Sequence, residues 1–222
     1  RNLEERLSAI PGVQGASLAL YNPLTDNWGE GVIIAGKPPV APGEQTGASW
    51  DRVSANYLQH LGVKLVRGRH FSAADTATTE NVAVVNEAFV KRFFKDGEDP
   101  LDQHFGLNLP ENANTFRIVG VVKDARFAGF QLDRPMRAMF FVPLAQTVDY
   151  ANPMMKRIET ASHYVGGILL VTAAPPGRVT RSSSAVTWAG RGANITPNML
   201  TQASNWRSAN GRASTSPSSN SM

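Results

Sequence analysis

The chain has 222 residues and a mass of 24.0 kDa, enough for one good-sized domain or two small ones. Apolar residues make up 42% and charged residues 18%, and the longest apolar stretches, Gly166–Ala174 and Ala138–Ala145, are under half of the ~20 residues a membrane helix needs. Zero cysteines exclude a disulfide framework, an iron–sulfur cluster and a thiolate zinc site. Cysteine usage assigns no compartment.

The net charge of +4 suggests a nucleic-acid partner until its distribution is read. Residues 173–222 hold five arginines (178, 181, 191, 207 and 212) and no acidic residue; residues 1–172 hold the other 17 basic residues against 18 acidic ones. The first part is near neutral, and the basicity belongs to a tail of dispersed arginines, so no nucleic-acid partner is expected. The tail carries ten serines and only Val179, Val186, Ile195 and Leu200 among its larger aliphatic residues. Such a segment buries too little apolar surface to offset the entropy of ordering it, and residues 173–222 are expected to be mostly disordered.

In chain order, Leu3, Leu7 and Ile10 fall at helical spacing, and Pro11-Gly12 stops that helix. Val13–Leu20 reads as a strand, Asn22–Gly31 as a loop and Val32–Ile34 as a short strand, with a second irregular loop around Gly36–Gly43. Ser49–Val53 is extended, and Ser54 is placed to cap a short helix through Tyr57, Leu58 and Leu61 that Gly62 closes. Val63–Val66 is the next strand.

The apolar run Asn81–Val85 suits a strand buried on both faces, and Asn86 is a good cap for a helix over Glu87–Phe94. Phe105–Leu109, Thr115–Lys123, Ala138–Val142 and Tyr164–Thr172 complete the strands. Helices are too few for a regularly alternating sheet, so the expected class is α+β.

Catalytic patterns are missing. There is no Gly-x-x-x-x-Gly-Lys-Ser/Thr to cradle a triphosphate and no His-Glu-x-x-His. His60, His70, His104 and His163 lie scattered, as surface or core-edge histidines do, and no metal or cofactor is expected. Gly15-Ala16-Ser17-Leu18-Ala19 half-resembles a nucleophile elbow, but it ends in alanine inside a strand pattern. Asp51, Asp75 and Asp124 have no spacing that pairs them. Phe89, Phe93 and Phe94 read as core packing, and Arg67-Gly68-Arg69 as a polar turn. No catalytic residue is assigned, and no enzymatic activity is expected.

Four ordered segments carry a resemblance. Val53-Ser54-Ala55-Asn56-Tyr57-Leu58-Gln59-His60-Leu61-Gly62 runs on to Gly68-Arg69-His70-Phe71, and Val82–Phe89 is followed by Arg92-Phe93-Phe94 and Glu98-Asp99-Pro100-Leu101. Phe116–Asp124 leads to Phe140-Phe141-Val142-Pro143-Leu144, and Leu3–Ser17 opens the chain with its Ile10-Pro11-Gly12-Val13 turn. Together they resemble the MacB-like periplasmic core domain of ABC transporter permeases of the MacB/FtsX type.

The resemblance implies a porter-like βαβ part, about residues 1–66 plus 160–172, and an inserted mixed α/β part, about residues 67–159. It implies a non-catalytic domain on the outer face of the bacterial cytoplasmic membrane, between two membrane helices. That domain would couple ATP-driven change to export or to periplasmic partners. ATP hydrolysis would belong to a separate ATPase subunit or domain, an adaptor or substrate protein would dock outside, and the full permease would be a dimer. The alternative is an extracytoplasmic ligand-binding sensor domain, which a concave pocket with converging polar groups would favour. A hydrolase would need a buried Ser–His or carboxylate pair in a cleft. With no flanking apolar span and no initiator Met, the chain is expected to be an excised or truncated piece. Its tail stands where the family continues with a helix and a strand, and a native tail and a shifted reading frame both stay open for it.

Overall fold

Val82–Asn86 forms a strand (β5) with every residue buried, as its unbroken apolar run predicts. The structure is a computed structural model, and it describes residues 2–21, 28–38, 46–125, 136–163, 167–173 and 184–189. Helix α3, Glu87–Phe93, emerges directly from β5, and the Asn86 side chain accepts from the N–H of Phe89 at 2.9 Å. The same oxygen accepts from the N–H of Met139 at 2.8 Å, so one side chain caps a helix and fixes the start of the neighbouring strand. Asn86→Ala is expected to cost about 2 kcal/mol in urea unfolding, a cap and a second buried donor lost together.

Six strands close on themselves. They are β2 (Gly29–Ile34), β3 (Gly47–Val53), β5, β6 (His104–Leu107), β7 (Phe116–Val122) and β8 (Met139–Pro143). Around the ring the order is β3-β2-β6-β7-β5-β8, and a parallel β3–β8 pairing, Ser49 opposite Met139 through Val53 opposite Pro143, completes the circuit. Alternate side chains point inward and form one core: Ala48 and Trp50, Ala83 and Val85, Phe105, Phe116 and Ile118, Phe140 and Val142. Phe89 of α3 enters that core, its ring 5.3 Å from Phe105 and 6.2 Å from Phe140. Closure removes most free edges.

The two ends of the barrel differ. Helix α3 lies where β3 and β8 begin. A second helix, α4 (Pro153–Ala161), lies on the side where they end. Its start is capped by Asn152, whose side chain accepts from the N–H groups of Met154 and Met155. A short strand, β4 (Leu65–Gly68), is added to β7. Gly62 and Gly68 both take φ of +71°, and a Cβ on Gly120 would stand 2.1 Å from the carbonyl oxygen of Arg69, as their places in the pattern suggest.

The remaining strands make an arm. Helix α1 (Asn2–Ser8) packs on β1 (Val13–Ala19), β1 pairs antiparallel with β9 (Gly167–Ala173), and β9 pairs antiparallel with β10 (Ser184–Ala189). Helix α2 (Tyr57–His60) wedges between arm and barrel, with Tyr57 and Leu58 in a second core beside Ala19, Val53, Val84 and Phe141.

Four expectations change here. The described strands of the porter-like part pair antiparallel, with no βαβ crossover among them; the parallel pairs are β3–β8 and β5–β7. Strand β10 lies inside the segment read as disordered from residue 173, because backbone pairing to β9 orders residues whose side chains alone gave no such signal. The rest of that tail, and the loops at 22–27 and 39–45, lie outside the described residues. Ser54 does not cap α2, since Asn56 holds that position and the Ser54 hydroxyl accepts from the N–H of Leu18 instead. Helix α4 was not anticipated, because its inward face carries Glu159 where the helical pattern calls for an apolar residue.

Candidate functional site

The arm meets the barrel along a short seam. Strand β1 touches β3 at one register pair, Ala19 opposite Val53. Around it the N–H of Leu20 donates to the carbonyl of Arg52 at 2.9 Å, the N–H of Ser54 donates to the carbonyl of Leu18 at 2.9 Å, and the N–H of Tyr21 donates to Asp51 Oδ1 at 3.1 Å. The hydroxyl of Ser54 adds its bond from Leu18. The last three residues of β3 and Ser54 just beyond it thus hold the outgoing end of β1.

One of these four, Arg52, also holds the returning chain. Strand alternation turns Arg52 to the inner face, in line with Ala48 and Trp50, and places its guanidinium at the end of the barrel under α4. Nε donates to Ser162 Oγ at 2.9 Å, Nη1 to the carbonyls of Pro143 (3.2 Å) and Gln146, and Nη2 to Glu159 at 2.8 and 2.9 Å. All five donors are used. Glu159 Oε1 also accepts from the N–H of Val148 at 2.9 Å. The two side chains are only 2% and 7% exposed, so this is a desolvated pair whose every lone pair and proton must be matched. Burial lowers the Arg52 pKa, and the charge of Glu159 opposes that shift. Five residues after Ser162 begins β9, which pairs with β1 of the arm.

Asp51 faces the opposite side. Burial pushes its carboxyl well above the usual carboxylate range, against the lowering effect of backbone donors at Tyr21, Arg52 and Leu20. Folded Asp51 therefore keeps a proton that the unfolded chain releases as pH rises past about 4, the ordinary aspartate value. Its contribution is fully present below that pH and is lost as pH rises towards the folded pKa. Asp51→Asn keeps the acceptor for Tyr21 and cannot ionise. Urea unfolding across the acid-to-neutral range is expected to show this variant gaining on the parent as pH rises; a difference independent of pH would contradict the account.

The residues singled out in the sequence are mostly dispersed. Ser17 Oγ lies 2.6 Å from His60 Nδ1, a Ser–His contact that the sequence did not reveal because 43 positions separate the two. Ser17 has no exposed surface and stands mid-strand, and the His60 ring lies over Gly15, where a Cβ would stand 2.7 Å from Nε2. Burial lowers the His60 pKa, and Glu4 pulls it the other way. The contact fastens α2 to β1, and the buried hydroxyl leaves no approach for a substrate.

His104 pairs with Glu80, and His163 reaches the carbonyls of Glu159 and Gln146. Asp75 is held by Arg69 through two bonds of 2.8 Å, and Asp124 accepts from the N–H of Ala88 in the first turn of α3. Phe89, Phe93 and Phe94 are core residues. Among the described residues no group of three or more possible ligands could hold a metal. A hollow of about 320 Å³ beside Arg69, Leu101, Asp102 and Arg117 is floored by Ile118 and Val119. Arg69 is committed to Asp75, and Arg117 to Glu80 and Asp102, so its charged groups face one another rather than a common centre.

The profile of the MacB-like periplasmic core domain matches residues 4–189. The chain belongs to that family. It is an extracytoplasmic domain of the kind carried by MacB-type ABC transporter permeases, and the match includes β10, beyond the expected boundary at residue 172. Among the described residues no helix is long and apolar enough to cross a membrane.

Solved structures that resemble it include the extracellular domain of the noncanonic ABC-type transporter YknZ from Gram-positive bacteria, 11% identical over 76% of this chain and 70% of that one, with a TM-score of 0.47. The periplasmic region of MacB from Actinobacillus actinomycetemcomitans is 20% identical over 70% and 67%, with a TM-score of 0.41. A domain of a permease protein from Porphyromonas gingivalis is 14% identical over 64% and 55%, with a TM-score of 0.43. No curated protein matches the chain.

Proposed function

We propose that this MacB-like domain is a non-catalytic coupling element, passing ATP-driven movement of its permease to export or to partners outside the membrane. ATP is hydrolysed by a separate subunit or domain, since this sequence has no phosphate-binding loop. The permease works as a dimer, and an adaptor or substrate protein docks on the outer side.

One observation carries the reading. Both passages of the chain between arm and barrel are gripped by the same segment, Asp51 to Ser54. The ends of the family's domain lead to membrane helices, so a displacement entering through the arm is passed to β3 and to α2, the elements it is fastened to.

The test uses the assembled permease with its ATPase. The parent chain lacks cysteine, so Glu5→Cys on exposed α1 and Lys91→Cys on exposed α3 give one attachment point on each body. Joining them with a bis-maleimide is expected to stop export while ATP hydrolysis continues. Export that proceeds unchanged with arm and barrel tied together overturns the proposal.

A further inference from the structure

We infer that Arg52 is the positioning residue that sets the angle between arm and barrel, and that its grip on Glu159 is the releasable contact of a pivot. The inference rests on the coupling reading for its purpose, but its geometry stands apart from it.

The connections between the two bodies are unequal. The seam at Ala19 and Val53 is one register pair flanked by backbone bonds, narrow enough to act as an axis. Helix α2 follows that axis, with Ser17–His60 on the arm side and Tyr57 and Leu58 on the barrel side. The third connection lies on the other passage of the chain, through α4. That helix brings only Met155 and the half-buried Ile158 to the barrel core. The rest of its attachment is polar: Glu159 and Ser162 to Arg52, Glu159 to the N–H of Val148, Met155 to Asn108, and His163 to Thr147 and the carbonyl of Gln146.

An apolar contact weakens gradually as surfaces slide. A fork of five directed hydrogen bonds does not, because small rotations break its alignment. The Arg52 clamp therefore has two states, engaged and released, while the seam remains as the hinge. Release does not leave the guanidinium without partners at once, because the carbonyls of Pro143 and Gln146 belong to the barrel and stay with it. Glu159 and Ser162 leave with α4.

Nitroxides on Glu5→Cys and Lys91→Cys of the 222-residue chain report the arm–barrel distance by pulsed electron resonance. With Arg52 and Glu159 intact, one narrow distribution is expected. Glu159→Gln keeps the shape of the side chain and removes the charge, and it is expected to shift and broaden that distribution while the circular dichroism stays native. A folded Glu159→Gln chain with an unchanged distribution overturns the inference. If that variant does not fold, Arg52→Lys, which keeps the charge but loses the fork, is read the same way. The measurement involves no transport, so it separates from the coupling reading. A pivot in the chain alongside normal export from a permease carrying Glu159→Gln sinks the coupling role and leaves the pivot. An unchanged distribution with export stopped by the bis-maleimide does the reverse.

Discussion

Gly106→Ala is expected to be among the most damaging single-methyl changes in the barrel, lowering stability by about 3 kcal/mol. Gly106 sits in β6 opposite Ile33, and a Cβ there would stand 1.6 Å from the carbonyl oxygen of Asn112 and 2.2 Å from its carbon. Both atoms are backbone of the 3-10 turn Pro110–Asn112, which folds back across the strand and is fixed by a 2.9 Å bond from Asn112 Nδ2 to the carbonyl of Leu107. No rotamer change can make room; the turn itself must lift. Gly29→Ala is the control, because its nearest neighbour is 3.6 Å away in ordinary contact, and its cost should stay within about 0.5 kcal/mol. Equal costs for the two in urea unfolding would mean that the turn does not lie where the structure places it.

Arg52→Ala is expected to cost about 3–5 kcal/mol, the penalty for leaving the Glu159 carboxylate buried without its partner. The loss comes chiefly from the stranded charge, so a double variant discriminates. Arg52→Met combined with Glu159→Met removes both charges, fills similar volume and is expected to recover most of the deficit. The Ser162 hydroxyl still donates to the carbonyl of Glu159 in that variant and needs no new acceptor. If the double variant is as unstable as Arg52→Ala, the carbonyls of Pro143 and Gln146 matter more than the ion pair. The measurement is chemical denaturation of the parent and both variants under one set of conditions.

Much of the local structure was legible because its causes are local. Val82 to Phe94 declares a buried strand, a capping asparagine and an amphipathic helix within thirteen residues, and the structure follows them. Gly62, Gly68 and Gly120 announced turns and close backbone approach for the same reason. Barrel closure was not legible. The β3–β8 pairing joins Ser49 to Met139, and nothing near either residue records the other.

The candidate site suffers the same blindness in sharper form. Arg52 and Glu159 stand 107 positions apart, and each looks alone like a surface charge. Glu159 also spoils the apolar face by which α4 would have been recognised. The family pattern reached the region through Val53 and Ser54, yet it passed over the two residues whose pairing organises it. A buried ion pair has no signature in one sequence, since its meaning lies in the partner.

The central claim is that the arm and barrel move relative to each other as the transporter works. Nitroxides at positions 5 and 91 in the assembled permease, read without nucleotide and then with ATP trapped in the ATPase, measure that movement directly. The account predicts two different distance distributions, one for each nucleotide state. One distribution common to both states would contradict it.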